Sequence, residues 1–167
     1  MHAITLDGMR HLMTCVALLV VVAACGTTTP LVLDGPASDE KRGLAGHRFE
    51  AESALIDGHA VALIDGPGRR GGFLLGFGME HIYAFGCNEF TSGAWDVRDG
   101  KLVTGVDWTS TPRGCDEPRN MQDQWLYDFL VSSPLVARDG DQLVLSTAST
   151  VITLRDVAGE NQPIRFF

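Results

Sequence analysis

Four cysteines are the residues of this chain whose chemistry and spacing say most about it. Cys15 lies within an uncharged apolar run over residues 12–24, and Cys25 follows that run directly, whereas Cys87 and Cys115 stand far downstream. A thiol at the end of an apolar run is able to accept a lipid. Two distant thiols are able to form a disulfide, to hold part of a metal site or to stay free. The sequence around each cysteine indicates which of these chemistries it has.

The amino-terminal segment has the pattern of a secretory signal peptide. Arg10 and His11 precede the apolar run, and the small residues Ala23 and Ala24 end it. A short basic region, about 7–15 apolar residues and a small-residue exit are typical of such signals. A membrane-spanning helix needs about 20 apolar residues. We therefore predict a signal peptide over residues 1–24, with translation starting at Met1 or Met9.

Cys25 is the predicted site of lipid attachment. The sequence over residues 22–25, VAAC, resembles the bacterial lipobox, in which a cysteine after small residues becomes the acylated amino terminus. Acyl chains such as palmitate would then hold the protein on the extracytoplasmic face of the cell envelope, because two chains anchor a protein firmly. Ordinary cleavage after Ala24 and an uncleaved anchor are the alternatives. Residues 25–43, rich in Thr, Pro, Gly and mixed charge, are predicted to form a flexible tether.

Cys87 and Cys115 remain once Cys15 leaves with the signal and Cys25 is lipidated. Disulfides are expected in the oxidising compartment that a secreted chain reaches. We therefore predict a Cys87–Cys115 disulfide, worth roughly 3–4 kcal/mol in the chain-entropy model. Two buried free thiols are one alternative. Half of a metal site is the other, although two cysteines without a nearby histidine are a weak zinc signal.

Residues 44–167 are predicted to form one mainly β domain. Asp-Gly pairs, which suit tight hairpin turns, occur at residues 57–58, 65–66, 99–100 and 139–140. Strand-like sequence flanks each pair. The predicted strands are residues 49–56, 59–64, 73–77, 82–85, 95–97, 101–104, 135–138, 142–146, 151–154 and 164–167.

Residues 116–133 have the apolar periodicity of a helix instead of that of a strand. Apolar residues recur at helical spacing, namely Met121, Trp125, Leu126, Phe129 and Leu130. Asp116 suits the N-cap, Pro118 the first turn and Pro134 the stop. A helix with an apolar stripe must bury it, so we predict an antiparallel sheet with one packed α-helix.

Three stretches around the cysteines resemble the META/HslJ-like family of bacterial envelope proteins. They are the GCNEF sequence at residues 86–90, GKL at residues 100–102 and TPRGC at residues 111–115, followed by the helix and a strand pair at residues 139–145. Phe49 stands where the family usually has tryptophan. The resemblance covers residues 44–157. It implies a small lipocalin-like β-barrel with a helix, an association with envelope stress and antibiotic tolerance, and no established catalytic residues.

Composition and motifs argue against several other functions. The net charge is −8 and Arg69-Arg70 is the largest basic cluster, which disfavours nucleic acid as a partner. Arg69 and Arg70 in a glycine-rich segment leave an anionic ligand as a minor alternative to a hairpin loop. His47, His59 and His81 have no paired metal-ligand spacing. We therefore predict no cofactor and no metal site.

Catalytic patterns are equally weak. Asp116 and Glu117 fit helix capping better than a pair of catalytic carboxylates. Trp95, Trp108 and Trp125 fit core packing better than a sugar-binding surface. No serine lies in a GxSxG elbow. The sequence thus predicts no enzyme.

The sequence predicts a non-enzymatic envelope lipoprotein that binds a protein partner or contributes to stress tolerance. One alternative is a lipid-anchored inhibitor of a wall-degrading enzyme of the lysozyme type, since an acidic surface suits a cationic enzyme. Another is a barrel that carries a small apolar ligand.

Overall fold

Short turns and antiparallel strands dominate the computed structural model, which describes residues 37–66 and 72–157. The predicted signal peptide, Cys25, Arg69-Arg70 and the predicted strand at 164–167 lie outside the described residues. The elements in chain order are α1 (Asp39–Leu44), β1 (Arg48–Ile56), β2 (His59–Val61), β3 (Leu74–Phe77), β4 (Ile82–Phe85), β5 (Glu89–Ser92), β6 (Trp95–Arg98), β7 (Lys101–Thr104), β8 (Trp108–Ser110), α2 (Glu117–Val131), β9 (Leu135–Asp139), β10 (Gln142–Ser146) and β11 (Thr150–Asp156).

The eleven strands form one curled antiparallel sheet, a half-barrel with α2 packed against it. The strand order is β6-β7-β9-β10-β11-β1-β3-β4-β5-β8, and β2 pairs with the second half of β1. The predicted mainly β fold with a packed helix is therefore confirmed. The sequence missed β5 and β8, which pair with each other through Phe90↔Ser110 and Thr91↔Thr109.

Two of the four Asp-Gly pairs form the predicted turns. Asp57 and Gly58 have φ values of 50° and 77°, and Asp99 and Gly100 have 51° and 69°, as type I′ turns require. At the fourth pair the turn lies one residue later: Asp139 pairs with Gln142, so Gly140 and Asp141 form the loop. At residues 65–66 neither residue has a positive φ, so this pair does not form the predicted type I′ turn.

A β-bulge in β1 keeps its apolar residues on the inner face of the sheet. Phe49 and Ala51 are buried, and the register shifts between Ala51 and Ser53, so that Ala54 is buried next. An extra residue resets the two-residue alternation of a strand. Phe49 packs edge-on against Phe77, and Phe77 against Trp95, at ring-centroid distances of 5.7 and 5.0 Å. These rings form part of the continuous core.

Helix α2 matches the predicted boundaries but not the whole predicted stripe. Asp116 is the N-cap and accepts a hydrogen bond from the backbone N–H of Arg119. Leu126, Phe129 and Leu130 are buried as predicted, whereas Met121 is exposed. The buried stripe instead includes Asp123, one turn before Leu126, because α2 turns that side towards the sheet.

Helix α1 corrects the predicted tether, which had extended to residue 43. Ser38 caps α1 by accepting from the Lys41 backbone N–H, and its hydroxyl donates to Asp96 at 2.9 Å. The Lys41 ammonium donates to the Trp95 carbonyl at 2.6 Å. Burial raises the pKa of Asp96, but hydrogen bonds from Ser38 and from the Val97 backbone outweigh it, so that pKa lies below its usual value. The helix therefore belongs to the folded domain.

Candidate functional site: the Asp123 cluster

A buried carboxyl group on α2 organises the polar contacts around the cysteines. Asp123 is 3% exposed. Its Oδ1 accepts from the Cys87 backbone N–H at 3.0 Å, and its Oδ2 accepts from the Asn88 backbone N–H at 2.7 Å. The Asn88 side-chain amide also donates to Oδ2 at 2.9 Å. Asp123 thus provides the hydrogen-bond acceptors for backbone N–H groups in the turn between β4 and β5, which would otherwise lack a partner.

The predicted disulfide lies beside this carboxyl group. Cys87 and Cys115 are bonded, with their Cα atoms 6.3 Å apart. Asn88 links the two sides: its Oδ1 accepts from the Arg113 backbone N–H at 2.8 Å, and its Nδ2 lies 3.5 Å from Cys115 Sγ. We call Gly86, Cys87, Asn88, Cys115 and Asp123 the Asp123 cluster.

Helix α2 also holds the segment after β2. The side chain of Gln122 accepts from the Ile64 backbone N–H at 2.7 Å and donates to the Ile64 carbonyl at 2.9 Å. Arg119 Nε donates to the Asp65 carbonyl at 3.0 Å. Side chains on adjacent positions of one helix therefore fix two separate backbone segments, which orients α2 against the sheet.

Gly86 is required by the close approach of Asp123. A Cβ atom at Gly86 would lie 2.0 Å from Asp123 Oδ1, far inside contact distance. We expect Gly86→Ala to displace the carboxyl group and lower the urea midpoint of unfolding by the equivalent of at least about 2 kcal/mol. Gly93→Ala is the control, because nothing lies within 4 Å of its Cβ position. Equal midpoints for the two variants would contradict this assignment.

The other predicted candidates are dispersed. Asp116 caps α2, and Trp95 is fully buried, so the three tryptophans do not form one exposed surface. Trp108 packs on Tyr127 and Trp125 on Phe129. Among residues 37–66 and 72–157, no three His, Cys, Asp or Glu side chains are grouped to hold a metal ion.

One histidine has a partner that the sequence did not indicate. His47 Nδ1 lies 2.5 Å from Asp156 Oδ2, and Arg138 donates to the same oxygen at 2.9 Å. The Arg138 guanidinium also lies over the Phe49 ring, 5.3 Å from its centroid. These contacts join residues before β1, on β9 and at the end of β11. No local motif indicated these contacts, because the residues that make them are far apart in the sequence.

The site and the sheet together define a small disulfide-linked half-barrel with a helix packed against it. A model of the META domain matches residues 43–158, and the chain belongs to the META domain family. The resemblance seen in the sequence is thereby confirmed.

Solved structures support the same fold. The chain is 25% identical to a protein whose structure was determined by NMR, over 69% of this chain and 92% of that chain, with a TM-score of 0.52. It is 19% identical to a protein from Burkholderia xenovorans, also solved by NMR, over 78% of this chain and 95% of that chain, with a TM-score of 0.56. No curated protein matched the chain. Within the described part of the chain, neither helix combines the length and apolar character needed to span a bilayer.

Proposed function

We propose that this chain is a non-enzymatic envelope lipoprotein, anchored through Cys25 on the extracytoplasmic side, whose META domain binds an envelope protein. The observation that carries this proposal is the Cys87–Cys115 disulfide. Structural disulfides persist in oxidising compartments and are rare in the cytosol. A domain that contains one, placed after a signal-like segment and a lipobox-like sequence, fits export followed by lipidation.

The contacts of the Asp123 cluster support a role without catalysis. Asp123 directs both carboxyl oxygens to backbone N–H groups and to the amide of Asn88. Asn88 in turn contacts the Arg113 backbone and the disulfide. These groups therefore stabilise a turn and a helix. A catalytic acid or base instead needs access to a proton of the substrate.

Lipid attachment is tested by Cys25→Ala. We expect the natural protein to sediment with membranes and to carry the added mass of acyl chains on Cys25. We expect the variant to lose that mass and to leave the membrane fraction. Fractionation followed by intact-mass spectrometry measures both. Cys15→Ala is the matched control, because Cys15 lies within the predicted signal peptide and its loss should leave anchoring unchanged.

Partner binding is tested in the same strains by cross-linking intact cells and identifying what the purified protein captures. One dominant envelope protein, lost in Cys25→Ala, supports an anchored binding module. Capture of a muramidase, with inhibition on mixing the purified proteins, would favour the inhibitor alternative. Diffuse capture at the background level would contradict a specific binding role, and membrane association that survives Cys25→Ala would contradict the lipid anchor.

A further inference from the structure

Two exposed apolar side chains lie at the tips of separate loops. Met79, between β3 and β4, is 74% exposed, and Val106, between β7 and β8, is 86% exposed. They are the most exposed large hydrophobic side chains among the described residues. Neither packs into the core, so burial within this domain does not explain why these positions are apolar.

Hydrogen bonds place the two loops at the same end of the half-barrel. The Trp95 indole N–H donates to the Gly78 carbonyl at 2.9 Å, next to Met79. The Gly105 backbone N–H donates to the Ala94 carbonyl at 2.7 Å, next to Val106. The loop between β5 and β6 therefore lies between the two tips and connects them.

The chain enters the domain at this same end. The Ser38 hydroxyl and Lys41 ammonium of α1 donate to Asp96 and to the Trp95 carbonyl, at the start of β6. Shortly after α1, the Gly46 backbone N–H donates to the Phe77 carbonyl at the end of β3. We call this the α1 end. The Asp123 cluster lies at the other end of β4, because residues 86–88 follow that strand whereas Met79 precedes it.

A short connection separates Cys25 from the α1 end. The twelve steps from Cys25 to Ala37 reach about 40 Å at most when fully extended, and less in any coiled conformation. A lipid on Cys25 therefore holds the α1 end within about 40 Å of the bilayer surface, and a flexible chain of this length spans roughly 20 Å on average.

The charges beside the two tips indicate the kind of surface that they suit. Glu80 follows Met79 and Asp107 follows Val106, and both acidic side chains are exposed. Acidic side chains next to an apolar tip are repelled by anionic headgroups but are tolerated at a zwitterionic interface. Side chains such as Met and Val gain free energy when they leave water for the acyl boundary.

We propose that the α1 end is a membrane-contacting surface, at which Met79 and Val106 enter the interface of a zwitterionic bilayer while α2 and the disulfide face away from it. This inference rests on the proposed lipid anchor at Cys25. It assigns the Asp123 end as the face that is open to a protein partner.

Methionine oxidation tests the orientation, because the chain carries its own control. Met121 on α2 is 67% exposed, close to the value for Met79, but lies two residues before Asp123, which contacts Cys87 and Asn88 at the opposite end. The full lipidated protein is placed on phosphatidylcholine vesicles and treated with hydrogen peroxide, and sulfoxide at each methionine is followed by mass spectrometry. Compared with released Cys25→Ala protein, we expect oxidation of Met79 to slow by about threefold or more, since oxidation follows exposure. Met121 should be oxidised at the same rate in the vesicle-bound and the released protein.

A second methionine reporter tests the contact at the other loop, and a flotation assay tests whether the protein is bound to the vesicles. Val106→Met should give another methionine that is protected only on vesicles, and added anionic lipid should weaken both protections. Unchanged Met79 oxidation in vesicle-bound protein, or equal slowing at Met79 and Met121, would overturn the orientation. Slow Met79 oxidation in the released protein as well would show a protein contact instead of lipid. Failure of the natural protein to float with vesicles would overturn the lipid anchor itself.

Discussion

Replacement of Asp123 with alanine is expected to lower the free energy of unfolding by roughly 3 kcal/mol or more. The change leaves the buried backbone N–H group of Cys87 and the half-buried one of Asn88 without their acceptor. Each buried donor without a partner costs about 1–3 kcal/mol. Urea denaturation followed by tryptophan fluorescence measures the loss.

Two further variants identify the cause of this loss. Asp128→Ala, on the same helix, removes an exposed carboxyl group whose contact is with the side chain of Gln124, and should cost well under about 1 kcal/mol. Asp123→Asn keeps the size of the side chain but turns an amide N–H₂ group towards backbone donors, so it should also destabilise the domain. Similar midpoints for Asp123→Ala and Asp128→Ala would contradict the role of Asp123.

Loss of the disulfide is expected to have a similarly large effect. Cys87 and Cys115 lie 28 positions apart in the sequence, and in the chain-entropy model closing a loop of this length stabilises the folded state by roughly 3–4 kcal/mol. The double variant Cys87→Ser/Cys115→Ser should therefore unfold at a clearly lower urea concentration. A dithiol reductant should bring the natural protein to a similar midpoint.

The double variant and the reductant provide independent checks. Reductant should leave the midpoint of the double variant unchanged, since it has no disulfide to lose. A natural protein that unfolds at the same urea concentration with and without reductant would contradict a stabilising disulfide. Because Asn88 contacts both Asp123 and Cys115, the effects of Asp123→Ala and of reduction should also be non-additive.

Local signals in the sequence predicted most of the strands and the main helix. The Asp-Gly pairs at residues 57–58 and 99–100 fixed two hairpins, and β4 and β10 have the predicted boundaries. Strands β5 and β8 were missed because GCNEFTSG and DWTS lack a clear apolar alternation; their pairing depends on neighbours that are distant in sequence. Helix α1 did carry a signal, a serine N-cap before two acidic residues, but it was included in the polar tether.

Of the candidate site, the sequence predicted only the Cys87–Cys115 disulfide. The two spare cysteines, in a chain that the sequence predicts to be secreted, were sufficient to suggest the disulfide. Asp123 was missed because a charged residue in a helix is usually assigned to the solvent face, although its position three residues before Leu126 places it on the buried stripe. Its partners on the turn after β4 are remote in sequence, so nothing local identified them. Gly86, directly before Cys87, was the one local signal that another group packs closely against the backbone there.

The pairing of β1 with β11 determines when this domain is able to fold. Phe49 pairs with Asp156, so the first long strand of the chain has the last described strand as its principal neighbour. Contacts between such distant residues slow folding, because the entropy of closing the long loop is lost before the contacts form. Synthesis from the amino terminus exposes β1 long before β11 exists. The sheet is therefore completed only after residues up to 156 have emerged, and until then one edge of β1 is unpaired.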